Sequence, residues 1–194
     1  ADTVAEAVPD VEWTKIYQGA THATAAAANA AVKAEVNAGA SLIFFVGHGT
    51  GTKMGRDGIV TKTSLDGWNG NAAILWVSCN GTYFGVSPGY YSLAHVLLTR
   101  GSGGSPCVIG SPTYLDSQRH LEFVRKLAAN SRDAGIRWGE ALIKTQRWAF
   151  EQPVADAAFM DMVRTECLIG DPALPVMGTG VPTDKAEAKT QERF

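Results

Sequence analysis

Residues 41–50 have the sequence SLIFFVGHGT and decide the class of fold that this chain of 194 residues can form. Residues 42–46 are apolar without interruption, which is typical of a short strand that is buried on both faces of a parallel sheet. The preceding segment is rich in alanine and ends at Gly39, so its helix propensity and its final glycine predict a helix. A helix that leads into a buried strand is the repeating unit of an α/β sheet.

The same order of elements continues along the chain. Two further apolar runs, 72–77 and 106–110, predict two more strands, and a last strand is expected by residue 176, after the turn at Gly170-Asp171-Pro172. Residues 11–17 are expected to form a short strand, and the glycine-rich segment 50–71 a loop with one helical turn. Strands that alternate with helices predict an α/β fold with a mostly parallel sheet. The predicted helices after the first lie at 90–100, 117–129, 135–150 and 159–165.

The composition excludes several classes of protein. With 45% hydrophobic residues and a formal net charge of −2, the chain can bury a core and has no basic excess for nucleic acid. The longest apolar run, 42–46, is far shorter than the roughly 18 residues of a membrane span. The first residues lack the basic and apolar regions of a signal peptide, so none is expected in this chain, and both secreted and cytoplasmic locations stay open.

Cysteine and histidine supply the candidate chemistry. Three cysteines and no CxxC pair argue against a disulfide scaffold and a zinc ribbon. His48 follows the first buried strand and Cys79 follows the second, and the carboxyl ends of adjacent parallel strands are where α/β active sites form. An imidazole beside a thiol raises its thiolate fraction and can later protonate a leaving amine. The N–H groups of Gly49 and Cys79 would then form an oxyanion hole.

A larger set of motifs surrounds these two residues, at 44–50, 75–85, 92–104, 108–112, 135–141 and 168–174. This set resembles the gingipain-like (C25-type) cysteine peptidases, which belong with caspases, legumain and clostripain in the caspase-like group. The resemblance covers about residues 30–177. It implies a caspase-like three-layer sandwich with a mostly parallel sheet, with His48 as general acid/base and Cys79 as nucleophile in peptide-bond hydrolysis through a thioester.

The resemblance also bears on how the chain is organised. Members of this family have further strands and helices upstream of the histidine strand, and this sequence has only about 40 residues there. We therefore expect residues 1–177 to be the carboxyl-terminal part of a larger catalytic domain. Its upstream strands would be missing or supplied by a complementary N-terminal fragment or chain, as in a zymogen processed to two chains. Residues 178–194 are polar and predict a tail or linker.

The remaining expectations concern the substrate, which would be a polypeptide, and bound ions. In the resembling enzymes, the loop after the third strand lines the pocket for the P1 side chain, so Tyr114 would stack on that side chain and Asp116 would pair with a P1 lysine or arginine. No cofactor or metal site is predicted. Some relatives hold calcium, but no acidic loop here has a convincing ligand pattern, and the histidine and cysteine spacings match no zinc pattern.

Two other functions stay open from the sequence. The first is a catalytically inactive caspase-like module that serves in binding or assembly. The second is a cysteine hydrolase or acyltransferase that does not act on peptides. The reactivity of Cys79 compared with Cys107 and Cys167, and the activity on esters compared with peptides, distinguish these functions from a cysteine endopeptidase.

Overall fold

A computed structural model describes residues 2–83, 91–114, 117–152 and 157–176. Six helices are present in these ranges: α1 (Asp2–Ala7), α2 (Ala25–Asn37), α3 (Leu93–Thr99), α4 (Ser117–Asn130), α5 (Trp138–Phe150) and α6 (Ala157–Thr165). The strands there are β1 (Leu42–Val46), β2 (Gly49–Thr50), β3 (Lys53–Met54), β4 (Val60–Thr61), β5 (Ala73–Val77), β6 (Cys107–Gly110) and β7 (Cys167–Gly170).

The main sheet has the strand order β1-β5-β6-β7. The pairs β1–β5 and β5–β6 are parallel, and β7 joins β6 in the antiparallel direction. The three apolar runs that the sequence singles out are therefore the three parallel strands, and their carboxyl ends share one edge of the sheet. A second, small antiparallel sheet of β2, β3 and β4 lies in the segment between β1 and β5.

Alternating side chains of the strands fill two separate cores. On β5, Leu75 and Val77 face a core built mainly by α4, α5 and α6, whereas Ile74 and Trp76 face a core built by α2, α3 and the β3–β4 segment. All five residues of β5 are buried, which explains the absence of polar alternation in this run. Helices cover both faces, so the chain forms the predicted three-layer α/β sandwich with a mostly parallel sheet.

Three details differ from the sequence prediction. Residues 11–17 form no strand, and α1, which packs against α4 through Val4 and Val8, lies before them instead. The last strand, Cys167–Gly170, precedes the turn at Asp171-Pro172 rather than following it. Beyond that turn, Pro175 makes only an isolated bridge with Arg137. The helical turn expected within 50–71 is present as a 3-10 turn at Lys62–Leu65, which Thr61 caps.

Within the described ranges, no helix has the length and apolar character needed to cross a bilayer. The boundary proposed near residue 177 and the segment 178–194 lie outside the described residues.

Candidate active site

His48 and Cys79 lie at the ends of two adjacent parallel strands. Val46 pairs with Val77 at the end of the β1–β5 ladder, so each candidate residue is two positions beyond the same pair. The amide of Gly47 donates a hydrogen bond of 3.1 Å to the carbonyl of Val77, which keeps the two strand ends together. Because paired strands are about 4.8 Å apart, the imidazole and the thiol start from neighbouring positions on one edge. His48 is exposed and Cys79 is half-buried.

A small hairpin fixes the backbone of His48. The carbonyl of His48 accepts a hydrogen bond of 2.8 Å from the amide of Gly55, which continues the pairing of β2 with β3. The hairpin tip is held in turn, because the amide of Leu93 at the start of α3 donates to the carbonyl of Gly51 at 2.7 Å. In the part of the chain that the structure describes, the imidazole itself makes no hydrogen bond, so it is open to a substrate or an incoming acid.

The turn that carries Cys79 is anchored to the end of β6. Asn80 adopts a left-handed conformation with φ of 57°, and its amide donates to the carbonyl of Thr113 at 3.0 Å. Two residues later, the amide of Thr82 donates to the carbonyl of Ser111 at 3.2 Å. The thiol-bearing turn and the loop after β6 therefore form one hydrogen-bonded unit.

Side chains under this turn add further support. The hydroxyl of Thr82 donates to the carbonyl of Gly110 at 2.9 Å and accepts from the thiol of Cys167 at 3.2 Å. On the other face, the indole N–H of Trp76 donates to Oγ of Ser78 at 2.8 Å. Thr82, Ser78 and Trp76 are buried, so these bonds replace lost solvation and hold the turn in one conformation.

One of the two predicted oxyanion donors, Gly49, lies against Ser78, the residue before the other, Cys79. A backbone hydrogen bond joins His48 and Gly55, so the next pair of the hairpin, Gly49 with Met54, is a non-hydrogen-bonded pair. The amide of Gly49 therefore points away from the partner strand. A Cβ on Gly49 would clash with Oγ of Ser78, so the backbone of Gly49 touches the residue before Cys79. Within the described residues, the amide of Cys79 donates no hydrogen bond. The amides of Gly49 and Cys79 stay predicted oxyanion donors.

The predicted substrate-binding residues are only partly described. Tyr114 lies in the loop after β6 and is 86% exposed, so its ring is available to stack on an incoming side chain. The amide of Thr113 donates to Oγ of Ser111 at 3.2 Å, which shapes the loop just before it. Asp116 lies outside the described residues.

The other two cysteines differ from Cys79 in their surroundings. Burial, with a smaller effect from the charge of Asp171, raises the pKa of Cys107 to about 12. Burial also raises the pKa of Cys167, against the opposing hydrogen bond with Thr82. All three cysteines are free thiols. Cys107 and Cys167 thus hold their protons well above neutral pH.

A buried pair of polar side chains near this edge was not anticipated from the sequence. His120 and Glu166 have fully buried side chains, and Nε2 of His120 lies 3.1 Å from the carboxylate of Glu166. Glu166 precedes Cys167, which pairs with Gly110 at the carboxyl end of β6, so the pair is close to the same edge. Among the residues that the structure describes, Nδ1 of His120 and Oε2 of Glu166 have no hydrogen-bond partner. In the sequence, His120 lies in a charged helix, which gave no sign of this burial.

A pocket beside His48 is the second unanticipated feature. It has a volume of about 290 Å³ and is lined by the hairpin residues that follow the histidine. Strands of two residues carry no periodicity that a sequence can reveal, so this hairpin was expected to be a loop. The lining residues are His48, Gly49, Thr50, Lys53, Gly55 and Arg56.

Among the described residues, no three side chains of histidine, cysteine, aspartate or glutamate are grouped so as to hold a metal ion. His95 lies on α3 with its ring 5.0 Å from that of Tyr91, and His120 is paired with Glu166.

Known proteins were compared with the sequence and with the fold. A search of curated proteins finds no match. The crystal structure of the Arg-specific cysteine proteinase gingipain R is similar with a TM-score of 0.64 and 17% identity, over 90% of this chain and 41% of that one. The complex of the Porphyromonas gingivalis RgpB pro- and mature domains is similar with a TM-score of 0.68 and 18% identity, over 90% of this chain and 42% of that one.

A third solved structure, described as a protease, has a TM-score of 0.59 and 12% identity over 73% of this chain and 36% of its own. At these identities the likeness concerns the fold, and this chain spans about two fifths of the length of the gingipain structures. The family model described as Peptidase family C25 matches residues 1–177. The chain is therefore a member of peptidase family C25.

Proposed function

We propose that this chain carries the catalytic dyad of a cysteine endopeptidase, with Cys79 as nucleophile and His48 as general base and acid. The single observation that carries the proposal is the pairing of Val46 with Val77, which sets both side chains at equivalent positions beyond adjacent strand ends. Membership of a peptidase family supports the same chemistry. The proposed reaction draws on protein groups alone.

In the acylation step, His48 takes the proton of Cys79, and the thiolate sulfur forms a bond with the carbonyl carbon of the substrate. The negative charge moves to the carbonyl oxygen, where the amides of Gly49 and Cys79 donate hydrogen bonds to it. The C–N bond then breaks as His48 returns its proton to the leaving amine. This step leaves a thioester on Cys79 and releases the carboxyl-side fragment.

In the deacylation step, water replaces the amine. His48 accepts a proton from the water as its oxygen attacks the thioester carbon, and the same two amides hold the oxyanion. The C–S bond breaks, the sulfur recovers its proton from His48, and the product leaves as a carboxylic acid. No oxidant or cofactor is consumed.

For the specificity of the enzyme, we propose a basic P1 residue, with Tyr114 stacked on its stem and Asp116 paired with its charge. The exposure of Tyr114 and the bond between Asn80 and Thr113 support a role for this loop beside the nucleophile. Fluorogenic peptides with arginine, lysine, aspartate or alanine at P1 test the proposal. Asp116→Asn should lower the rate for arginine and lysine selectively, and equal rates for all four peptides would remove Asp116 from the site.

We also propose that a complementary N-terminal segment completes the catalytic unit, as in a processed two-chain enzyme. Within the described residues, β1 is an outer strand of the main sheet, and its five side chains are only half-buried, whereas those of β5 are fully buried. A strand edge of this kind is a template for pairing with further chain. If the chain alone proves to be monomeric, cooperatively folded and active, the partner is not needed.

The decisive test of the dyad combines labelling and cleavage. Iodoacetamide should modify Cys79 far faster than Cys107 and Cys167 near neutral pH, and His48→Ala should slow that modification. Cys79→Ala and His48→Ala should each lower peptide cleavage by about 1,000-fold or more, whereas Cys107→Ala should leave it near the parent value. Slow and equal labelling of all three thiols would favour an inactive binding module. Cleavage of esters but not of peptides would favour a different cysteine hydrolase.

A further inference from the structure

Two basic residues are among those that line the pocket beside His48. His48 forms one side, and the hairpin residues Lys53 and Arg56 contribute the charged groups. Gly55, which also lines the pocket, has a φ of 82°, and a Cβ there would meet the side chain of Ile59 at 2.8 Å, so glycine fits this position best. The pocket is thus a formed feature of the fold beside the proposed general acid.

The two cations have no acidic partner in the described part of the chain. The ammonium group of Lys53 donates to the backbone carbonyl of Arg56 at 2.8 Å, a contact that leaves its charge unneutralised. The guanidinium of Arg56 is exposed and forms no ion pair there. The nearest acid in sequence, Asp57, accepts a hydrogen bond of 2.6 Å from Nε2 of Gln18 and forms no ion pair with either cation within the described residues. Lys53 and Arg56 are therefore two basic residues at the border of the pocket that have no acidic partner among the described residues.

The order of the strands indicates which part of a substrate this pocket faces. With the order β1-β5-β6, Cys79 lies between His48 on one side and the loop that carries Tyr114 on the other. The leaving amine must approach His48, because that residue gives it a proton. The fragment that departs with the amine thus extends towards the hairpin, and the acyl fragment extends towards the loop after β6.

We propose that Lys53 and Arg56 form a subsite for a carboxylate on the leaving-group side of the cleaved bond. The subsite rests on the proposed peptidase function for its place in the reaction. Two sources supply the same chemistry: an aspartate or glutamate side chain just after the cleaved bond, or the free carboxyl terminus of a short leaving fragment. Arg56 offers a planar fork of donors that fits a carboxylate, and Lys53 adds a second charge.

The first experiment measures binding without cleavage. The Cys79→Ala protein is titrated, with detection by NMR, against leaving-fragment peptides that have a free amino terminus. Three peptides separate the two sources of the carboxylate. Glu-Ala-amide carries it on the side chain, Gln-Ala with a free carboxyl terminus carries it at the end, and Gln-Ala-amide carries none. We expect at least one carboxylate peptide to bind about two- to fivefold more tightly than the neutral peptide, the size expected of exposed charge pairs. Raising the salt from about 0.02 M to about 0.5 M should remove the difference.

Variants identify the residues responsible. Arg56→Ala should abolish most of the preference, and Arg56→Glu should reverse it in favour of Lys-Ala-amide. The matched control is Arg147→Ala, because Arg147 is also an exposed arginine but lies on α5, at the opposite face of the sheet. Equal binding of the three peptides, no binding of any of them, or the same loss in Arg147→Ala would overturn the proposal.

Cleavage assays then separate the two proposals. The non-primed half of the substrate is held constant in these assays. Glutamate after the cleaved bond should raise kcat/KM over glutamine by about two- to fivefold. Arg56→Ala should remove that ratio, whereas Arg147→Ala should keep it. If the protein cleaves no peptide but still prefers carboxylate peptides, the subsite proposal stands and the dyad proposal is wrong. An active peptidase without the preference would refute the subsite alone.

Discussion

The amide of Asn80, the residue directly after the proposed nucleophile, donates a hydrogen bond of 3.0 Å to the carbonyl of Thr113 in the loop after β6. Asn80 accepts the left-handed φ of 57° that this bond requires, a conformation that asparagine adopts more readily than most residues. The position of the thiol and the position of the proposed P1 loop are therefore set by one turn. A change in that turn should alter both turnover and specificity.

Asn80→Gly and Asn80→Ala test this relationship. Glycine adopts a positive φ without steric cost, whereas alanine does not, so we expect Asn80→Ala to lose about 1 kcal/mol of unfolding free energy and Asn80→Gly to lose less. In the peptidase assay, the alanine variant should also show a lower kcat and a shifted ranking of P1 residues. Urea denaturation and the P1 panel measure the two effects. Equal behaviour of both variants would mean that the turn conformation does not control the site.

Gly49→Ala tests the close approach between the hairpin and the Cys79 turn. A Cβ at this position would collide with Oγ of Ser78 and lie 3.1 Å from the carbonyl of Lys53, so the proposed oxyanion donor must move. We expect kcat to fall by about 100-fold, the loss that follows removal of one oxyanion donor, with a much smaller change in KM.

The matched control for this change is Gly101→Ala, because a Cβ there meets nothing within 4 Å and the new side chain has open space. Its kinetic parameters should stay at the parent values. A Gly49→Ala enzyme with unchanged kcat would show that the amide of Gly49 is not an oxyanion donor.

The main sheet was predictable from the sequence, and the reason is physical. Strands buried on both faces carry uninterrupted apolar runs, and the runs around Phe44, Leu75 and Val108 became β1, β5 and β6. Once these strands were known to be parallel and adjacent, the position of His48 beside Cys79 followed from where each run ends. The membership of family C25 agrees with the motifs at these strand ends.

Other features had no local signal. The hairpin that carries Lys53 and Arg56 has strands of two residues, too short for any hydrophobic period. The pairing of His120 with Glu166 joins residues far apart in sequence, and no property of the charged helix around His120 distinguishes a buried histidine from an exposed one. The last strand was expected after Asp171, but the run 167–170 was too short to outweigh the turn residues that follow it.

Removal of one partner from the buried pair of His120 and Glu166 should lower the stability strongly. His120→Leu leaves the carboxylate of Glu166 buried without its partner, so we expect the free energy of unfolding to fall by about 3–5 kcal/mol. The double variant His120→Leu/Glu166→Leu removes both polar groups and should recover most of that loss. Urea denaturation of the two single variants and the double variant gives the coupling energy directly. Additive losses would indicate that the two side chains do not interact.

Cys107 should make the protein less stable at alkaline pH. Burial raises the pKa of Cys107 from 9.0 to about 12 in the folded state, so between these values the unfolded chain releases the thiol proton while the folded chain retains it. Loss of that proton favours the unfolded state, and stability therefore falls as the pH rises through this window. At about pH 10, the titration of this thiol lowers the free energy of unfolding by about 1 kcal/mol. Cys107→Ala removes the titrating group, so its free energy of unfolding should decline less than that of the parent protein between about pH 8 and about pH 10. Parallel declines in the two proteins would show that the thiol of Cys107 titrates equally in the folded and unfolded states.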